Sequence, residues 1–300
     1  MRSGIPRYRA LRECGNNNNN PDDQPGNLIW DNDPPHHPSQ AALMPFRAQL
    51  IALQTILIKE ILRFLRIWIQ TLLPPAVTTA LYFVIFGQLI GSQLGPVDGL
   101  SYTQFIAPGL IMMAVITNAY ANVVSSFYGA KFQRHIEEMI VSPLPNTIIV
   151  LGFVGGGVAR GLAVGAVVTA IALFFADLHW HDPLLTFVVM VLTSALFALS
   201  GLINAIFAKS FDDISLIPTF VLTPLTYFGG IFYSIRMLPP FWQDASQLNP
   251  ILYMINAFRY SILGVSDINI YLALGIIVAL TTVLFGYSLW LLERGVGIRN

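Results

Sequence analysis

The sequence predicts an all-α integral membrane protein with six transmembrane helices, an N-terminal amphipathic surface helix, and re-entrant outer helices after span five. Three observations predict it. Of the 300 residues, 55% are hydrophobic and 11% are charged, whereas a soluble domain carries about 25% charged residues, so too few polar side chains remain to coat a water-facing surface. Uncharged or nearly uncharged apolar stretches, each long enough to approach the roughly 20 residues that cross a hydrocarbon core, recur along the chain. Lys and Arg gather in alternate connections between those stretches, as they do in cytoplasmic loops.

Residues 1–43 stand apart, with the run Asn16 to Asn20, several prolines, His36 and His37, and no periodic apolar pattern. Such a composition cannot bury enough surface to fold. It reads as a disordered tail, or as the product of a misassigned start that places the native beginning at Met44. The single cysteine, Cys14, can form no internal disulfide or CxxC pair.

From residue 44 to residue 300 the pattern is that of one transmembrane domain. Residues 46–70 read as an amphipathic helix, with Lys59, Arg63, Arg66 and Gln70 on one face and Leu57, Ile61, Phe64 and Trp68 on another. A basic face opposite an apolar face with Trp suits a helix lying in the membrane surface; the alternative is the end of a tilted first span. Spans follow at about 71–92, 105–128, 148–175, 184–208, 215–235 and 270–292. The fifth holds Pro218, Pro224, Gly229 and Gly230, which predict a kink or break.

Orientation follows from the connections. Arg47, Lys59, Arg63 and Arg66 precede span one, Lys131 and Arg134 follow span two, Lys209 follows span four, and Arg294 and Arg299 follow span six. The connections after spans one and three have neither Lys nor Arg. Both termini are therefore expected in the cytoplasm.

The span interiors exclude several functions. They contain no Asp, Glu, Lys or His, and Arg160 is their one ionisable exception. Ion-coupled transport ordinarily needs a carboxylate or His relay at depth. HExxH and GxxxxGK[ST] are both absent, so neither a zinc hydrolase nor an ATP-binding loop is indicated. No cofactor or metal is expected on this chain. Net charge is zero, from 16 Lys and Arg against 16 Asp and Glu, so no basic field favours nucleic acid.

Gly157, Gly161 and Gly165 form a GxxxGxxxG ridge that lets membrane helices approach closely. Arg160, beside it, is expected to snorkel to headgroups or to pair with a loop carboxylate. After span two, residues 131–141 predict a short charged helix stopped by Pro143, with Arg134 and Glu138 as an i, i+4 pair. By physics alone this is either a solvated connector or a docking knob. After span five, apolar-faced pieces near 239–247 and 250–263 are too short to span and suit an interfacial or re-entrant hairpin, with Asn249 capping the second.

The segments Phe105 through Leu110, Gly129 through Glu138, Gly155 through Leu162 and Phe211-Asp212-Asp213, with Leu238-Pro239, Asn249-Pro250 and Arg259, bring a family resemblance. From about Met44 onward the chain resembles the ABC-2 type permeases, the membrane subunits of bacterial ATP-driven exporters. The resemblance implies residence in the bacterial inner membrane, a homodimer, and a separate ATP-binding cassette ATPase that holds ATP and Mg. It implies that Lys131, Arg134, Glu137 and Glu138 form an ATPase-coupling helix. It also implies a translocation path at the dimer interface, lined by spans two and five, for an amphipathic, lipid-linked or drug-like substrate. Asn118, Asn122, Thr223 and Tyr227 are candidate lining residues; interhelical hydrogen bonds are the alternative use for each. Rival readings are a lipid-acting membrane enzyme and an ATP-independent scaffold.

Overall fold

Residue patterns of period 3.6 and a near absence of internal charge fold here into helices alone. The computed structural model describes residues 45–297 apart from Asp98, and no strand occurs among the described residues. The expectations for residues 1–43, for Met44 and for Arg299 lie outside that range.

Helix α1 (Phe46–Arg66) ends at Ile67, where the backbone leaves the helical region (φ −112°, ψ 35°). The amphipathic helix expected over 46–70 is therefore interrupted before Trp68, and the hydroxyl of Thr71 supports the break by reaching the carbonyls of Phe64, Ile67 and Trp68 at 3.1–3.3 Å. Helix α2 (Trp68–Tyr82) passes through Pro74 and Pro75, continues as a π-helical stretch over Phe83–Ile90, and ends in the short α3 (Gly91–Leu94). Next come α4 (Tyr102–Phe132), α5 (His135–Val141), α6 (Asn146–Phe175) and α7 (Pro183–Phe207). A reciprocal Ser101–Gln104 capping box starts α4, and Asp182 caps α7 by accepting from the Leu185 N–H at 3.0 Å.

The fifth apolar segment corrects the expected span. It is helical only from Asp213 to Tyr227, as α8 (Asp213–Ile217), a π-helical turn over Pro218–Leu222 and α9 (Thr223–Tyr227). Pro218 removes a donor where the ladder widens, and the turn at Gly229-Gly230, with Gly230 at φ 76°, stops helix well short of residue 235. At 1.5 Å per residue the helical piece is about 22 Å long, shorter than a typical hydrocarbon core. Helices α10 (Pro240–Gln247), α11 (Pro250–Leu263) and α12 (Ile270–Arg294) complete the chain. Among the described residues, five helical runs are long and apolar enough to cross a membrane: Trp68–Ile90, α4, α6, α7 and α12.

Helix α4 is the centre of the bundle, with Phe105, Ile106, Leu110, Ile111, Val115 and Ile116 at most 1% exposed. Its far end and that of α7 are joined by Lys131, whose ammonium donates to the carbonyls of Ile206 and Ala208 at 2.6 and 2.8 Å. Lys131, Arg134, Lys209 and Arg294 thus mark one cationic end. The opposite end is knitted by Gln104 Nε2 to the Asp177 carbonyl (2.9 Å), by the Tyr102 hydroxyl to the Phe232 carbonyl (3.0 Å), and by the Asp182 N–H to the Ser261 carbonyl (2.8 Å).

Candidate functional site

Helix α1 turns Ile56, Glu60 and Phe64 inward at i, i+4 and i+8, all buried. The stripe is seated on glycines of α6. A Cβ on Gly152 would stand 2.4 Å from Ile56 Cγ2, and one on Gly156 would stand 2.5 Å from Glu60 Cβ. The glycine-rich run therefore has two working faces. On the other face, a Cβ on Gly157 would meet Val123 Cγ2 at 2.5 Å, one on Gly161 would meet Ser194 Oγ at 2.7 Å, and one on Gly165 would meet Met190 Sδ and Val115 Cγ2 at 2.9 Å. Gly157, Gly161 and Gly165 thus lie where α6 closes on α4 and α7.

This close packing buries a charged cluster. Glu60, with no exposed surface, accepts from Ser126 Oγ at 2.7 Å and from Arg63 Nε at 3.2 Å, with Lys59 Nζ at 3.9 Å. Arg63 Nη2 then donates to the side-chain and main-chain oxygens of Asn122 at 2.8 and 3.0 Å. One turn along α4, Asn118 Oδ1 accepts from Arg160 Nη2 at 3.1 Å, while its amide donates to the Ala114 carbonyl. Arg160 therefore turns toward α4 and finds a neutral amide, in place of the headgroup or loop carboxylate expected for it. Beside it, an open cavity of about 300 Å³ lies between α2 and α4, with α6 contributing Arg160; its lining includes Gln70, Thr78, Tyr82, Met113, Asn118 and Arg160.

Of the candidate path residues, Asn118 alone lines this cavity; Asn122 is fully buried and held by Arg63. Thr223 donates to the Pro218 carbonyl across the π-helical turn (2.9 Å), and the Tyr227 hydroxyl lies 2.9 Å from that of Tyr82. Tyr82, Tyr227, Phe86 and Phe232 form an aromatic cluster, closest between Phe86 and Phe232 at 4.6 Å.

At the cationic end, α4 runs on to Phe132 and the chain reverses at Arg134, a non-glycine residue in the left-handed region (φ 61°). The short helix accordingly starts at His135, not 131, and Arg134 makes no ion pair with Glu138 among the described residues. Fully buried Ile136 anchors α5, leaving Arg134, Glu137 and Glu138 exposed. Lys131 faces inward onto the α7 carbonyls, so the four coupling candidates divide into one internal clamp and three exposed groups. Lys131, Arg134, Glu137 and Lys209 line a cavity of about 570 Å³. Nearby, the Asp213 carboxylate accepts from the main-chain N–H groups of Lys209 and Ser210 at 2.8 and 3.0 Å.

At the opposite end, Arg259 of α11 is 1% exposed, donates to the Gly230 carbonyl at 2.6 Å, and places its guanidinium carbon 4.0 Å from the Phe105 ring centre. Gly109 allows Ile231 to press on α4, since a Cβ there would stand 2.9 Å from Ile231 Cα. Asn249 caps α11 through the Ile251 N–H (3.0 Å) and donates to the Leu225 carbonyl (2.6 Å). The motifs Phe105 to Leu110, Gly229-Gly230, Asn249-Pro250 and Arg259 are thus parts of one junction.

Glu60 was missed by sequence reasoning, though one signal points to it. It is the sole carboxylate of α1 and stands a helical turn from both Ile56 and Phe64.

Long apolar helices packed around a central α4 define a multi-helix membrane protein. The ABC-2 type transporter family matches residues 51–263, and the chain belongs to that family, the permease components of ABC transporters. It is 58% identical over 250 residues to the inner membrane transport permease YadH of Escherichia coli K12, covering 83% of this chain and 98% of that protein. It is 28% identical over 215 residues to nodulation protein J of Rhizobium leguminosarum bv. viciae, covering 71% of this chain and 83% of that one. Such permeases are not themselves enzymes and normally work with a separate ATP-binding subunit.

Proposed function

We propose that this chain is the permease subunit of an ABC exporter in a bacterial inner membrane. It acts as a homodimer on two ATPase subunits that bind ATP and Mg, and moves an amphipathic, lipid-linked or drug-like substrate outward. In this reading α1 is the surface helix, residues 213–227 are the sixth crossing in shortened form, and α10 and α11 are the re-entrant outer pair. The cationic end and both termini are cytoplasmic, in keeping with the distribution of Lys and Arg. The observation that carries the reading, beyond family membership, is α5. It is a short helix fixed by buried Ile136, stopped before Pro143, and it presents Glu137 and Glu138 outward. A rigid exposed carboxylate pair is suited to accept charge-assisted hydrogen bonds from a cytoplasmic partner.

The test is affinity purification of the tagged chain from its native membrane. A cassette ATPase should accompany it, and the pair in proteoliposomes should hydrolyse ATP and deplete substrate from the ATPase side. A chain that repeatedly purifies without any ATPase would sink the reading in favour of the scaffold or enzyme alternatives.

A further inference from the structure

We propose that the cavity between α2 and α4 binds the anionic head, a phosphate or carboxylate, of a molecule with an apolar tail, and that Arg160 is the residue that selects the charge. The inference rests on the permease reading only in making the occupant cargo.

Charge balance is the first support. Among the described residues no carboxylate lies within ion-pair distance of Arg160. Its one hydrogen bond goes to the neutral Asn118 side chain, and its buried Nε has no partner. Glu60, the carboxylate of the neighbouring interhelical cluster, is already engaged by Arg63, Lys59 and Ser126. An unneutralised guanidinium among apolar helices is costly and marks a ligand or ion path.

The lining is the second support. The cavity brings Arg160 together with the Gln70 amide and the Thr78 hydroxyl, neither of which is hydrogen-bonded to another described residue, and walls them with Leu110 and Met113. Donors line the cavity, no acidic side chain does so among the described residues, and apolar surface flanks it. Its volume of about 300 Å³ matches the lower range of small-molecule sites. Outside it, α2 carries Leu73, Val77 and Leu81, each at least half exposed, along which a hydrocarbon tail can lie. A cationic head would meet Arg160 with like charge, and a purely apolar ligand would leave the donors unpaired.

The experiment titrates the purified full-length chain in a neutral maltoside detergent with dodecyl phosphate, dodecyltrimethylammonium or inorganic phosphate, following thermal stabilisation. Dodecyl phosphate should stabilise saturably, the cation should not, and inorganic phosphate should act only weakly. Arg160→Gln should weaken dodecyl phosphate binding roughly tenfold or more, the loss expected for one charge-assisted partner, while Arg160→Lys keeps the preference for the anion. Should Arg160→Gln fail to fold, Thr78→Trp decides, because it fills the cavity from an exposed position and should also abolish the saturable effect. Equal stabilisation by anion and cation, no response to dodecyl phosphate, or wild-type affinity in Thr78→Trp overturns the proposal. Adding phosphatidylglycerol separates the sources: competition identifies a bilayer lipid as the natural occupant, and its absence identifies cargo. ATPase co-purification, measured in parallel on wild type and Arg160→Gln, reports on the permease reading independently.

Discussion

Arg63 of α1 donates through one nitrogen to both the side-chain and the main-chain oxygen of Asn122 on α4, at 2.8 and 3.0 Å, while its Nε holds the fully buried Glu60. Helix α1 is therefore fastened to α4 by the hydrogen bonds of Arg63 to Asn122 and of Ser126 to Glu60, not by apolar contact alone. Removing Arg63 leaves Glu60 as a buried carboxylate without its principal cation, a change that typically costs about 3–5 kcal/mol. Arg63→Ala should lower the thermal midpoint in detergent by several degrees or prevent accumulation of the protein. The double variant Glu60→Gln, Arg63→Met should recover part of the loss, since a neutral pair leaves no unpaired charge. An Arg63→Ala midpoint equal to wild type would show that α1 is held by its apolar stripe.

Gly161 packs so that a Cβ would meet Ser194 Oγ at 2.7 Å and Ala119 Cβ at 3.2 Å, whereas Gly275 and Gly286 on α12 have no atom within 4 Å of that position. Gly161→Leu should separate α6 from α4 and α7, giving aggregated or degraded protein on size-exclusion chromatography. Gly286→Leu should elute as wild type does. Equal behaviour of the two variants would mean that the ridge carries no packing role.

The long helices are legible because their apolar runs are long and nearly free of charge: the spans read at 105–128, 148–175, 184–208 and 270–292 match α4, α6, α7 and α12 within a few residues. What escaped depended on partners distant in sequence. Lys59, Arg63 and Arg66 read as one basic face, yet Arg63 turns inward because Asn122 lies 59 residues away in sequence. Arg160 reads as snorkelling to headgroups or pairing with a loop carboxylate, because nothing near it in sequence reveals Asn118, 42 positions earlier. The start of α5 was misplaced for another reason. A non-glycine residue in the left-handed region is uncommon, so Arg134 gives no local sign of the reversal it makes.

The topology can be read directly. The segment holding α10 carries exposed Asp244 and lies at the end opposite Lys131 and Lys209. In a Cys14→Ser background, Asp244→Cys should react with a membrane-impermeant maleimide in intact cells whose outer membrane has been permeabilised. Lys209→Cys should react only after the inner membrane is opened. Reversed labelling of the two positions would invert the orientation, and labelling of both in intact cells would mean that the residues between them do not separate the two sides.

The end of α4 and the start of α5 make the sharpest division between neighbouring residues. Lys131 donates to the Ile206 and Ala208 carbonyls at the end of α7, where a cation meets the negative end of the helix dipole. Glu137 and Glu138 make no ion pair among the described residues and face outward. Lys131→Met should therefore act on the protein itself, removing hydrogen bonds from a charged donor worth about 1.5–3 kcal/mol and lowering the thermal midpoint in the absence of any ATPase. Glu137→Ala with Glu138→Ala should leave that midpoint unchanged. Carboxylates that accept charge-assisted bonds at a partner surface typically cost about 2–5 kcal/mol of binding when one side is removed, so the double variant should lose most ATPase co-purification and transport. Restoring the carboxylates as Asp should recover part of both, because the charge returns on a shorter stem. A double variant that still binds its ATPase and transports at the wild-type rate would make the outward face of α5 a solvated surface, and would shift the coupling contact to Arg134 or to the Lys209 side of the adjoining cavity.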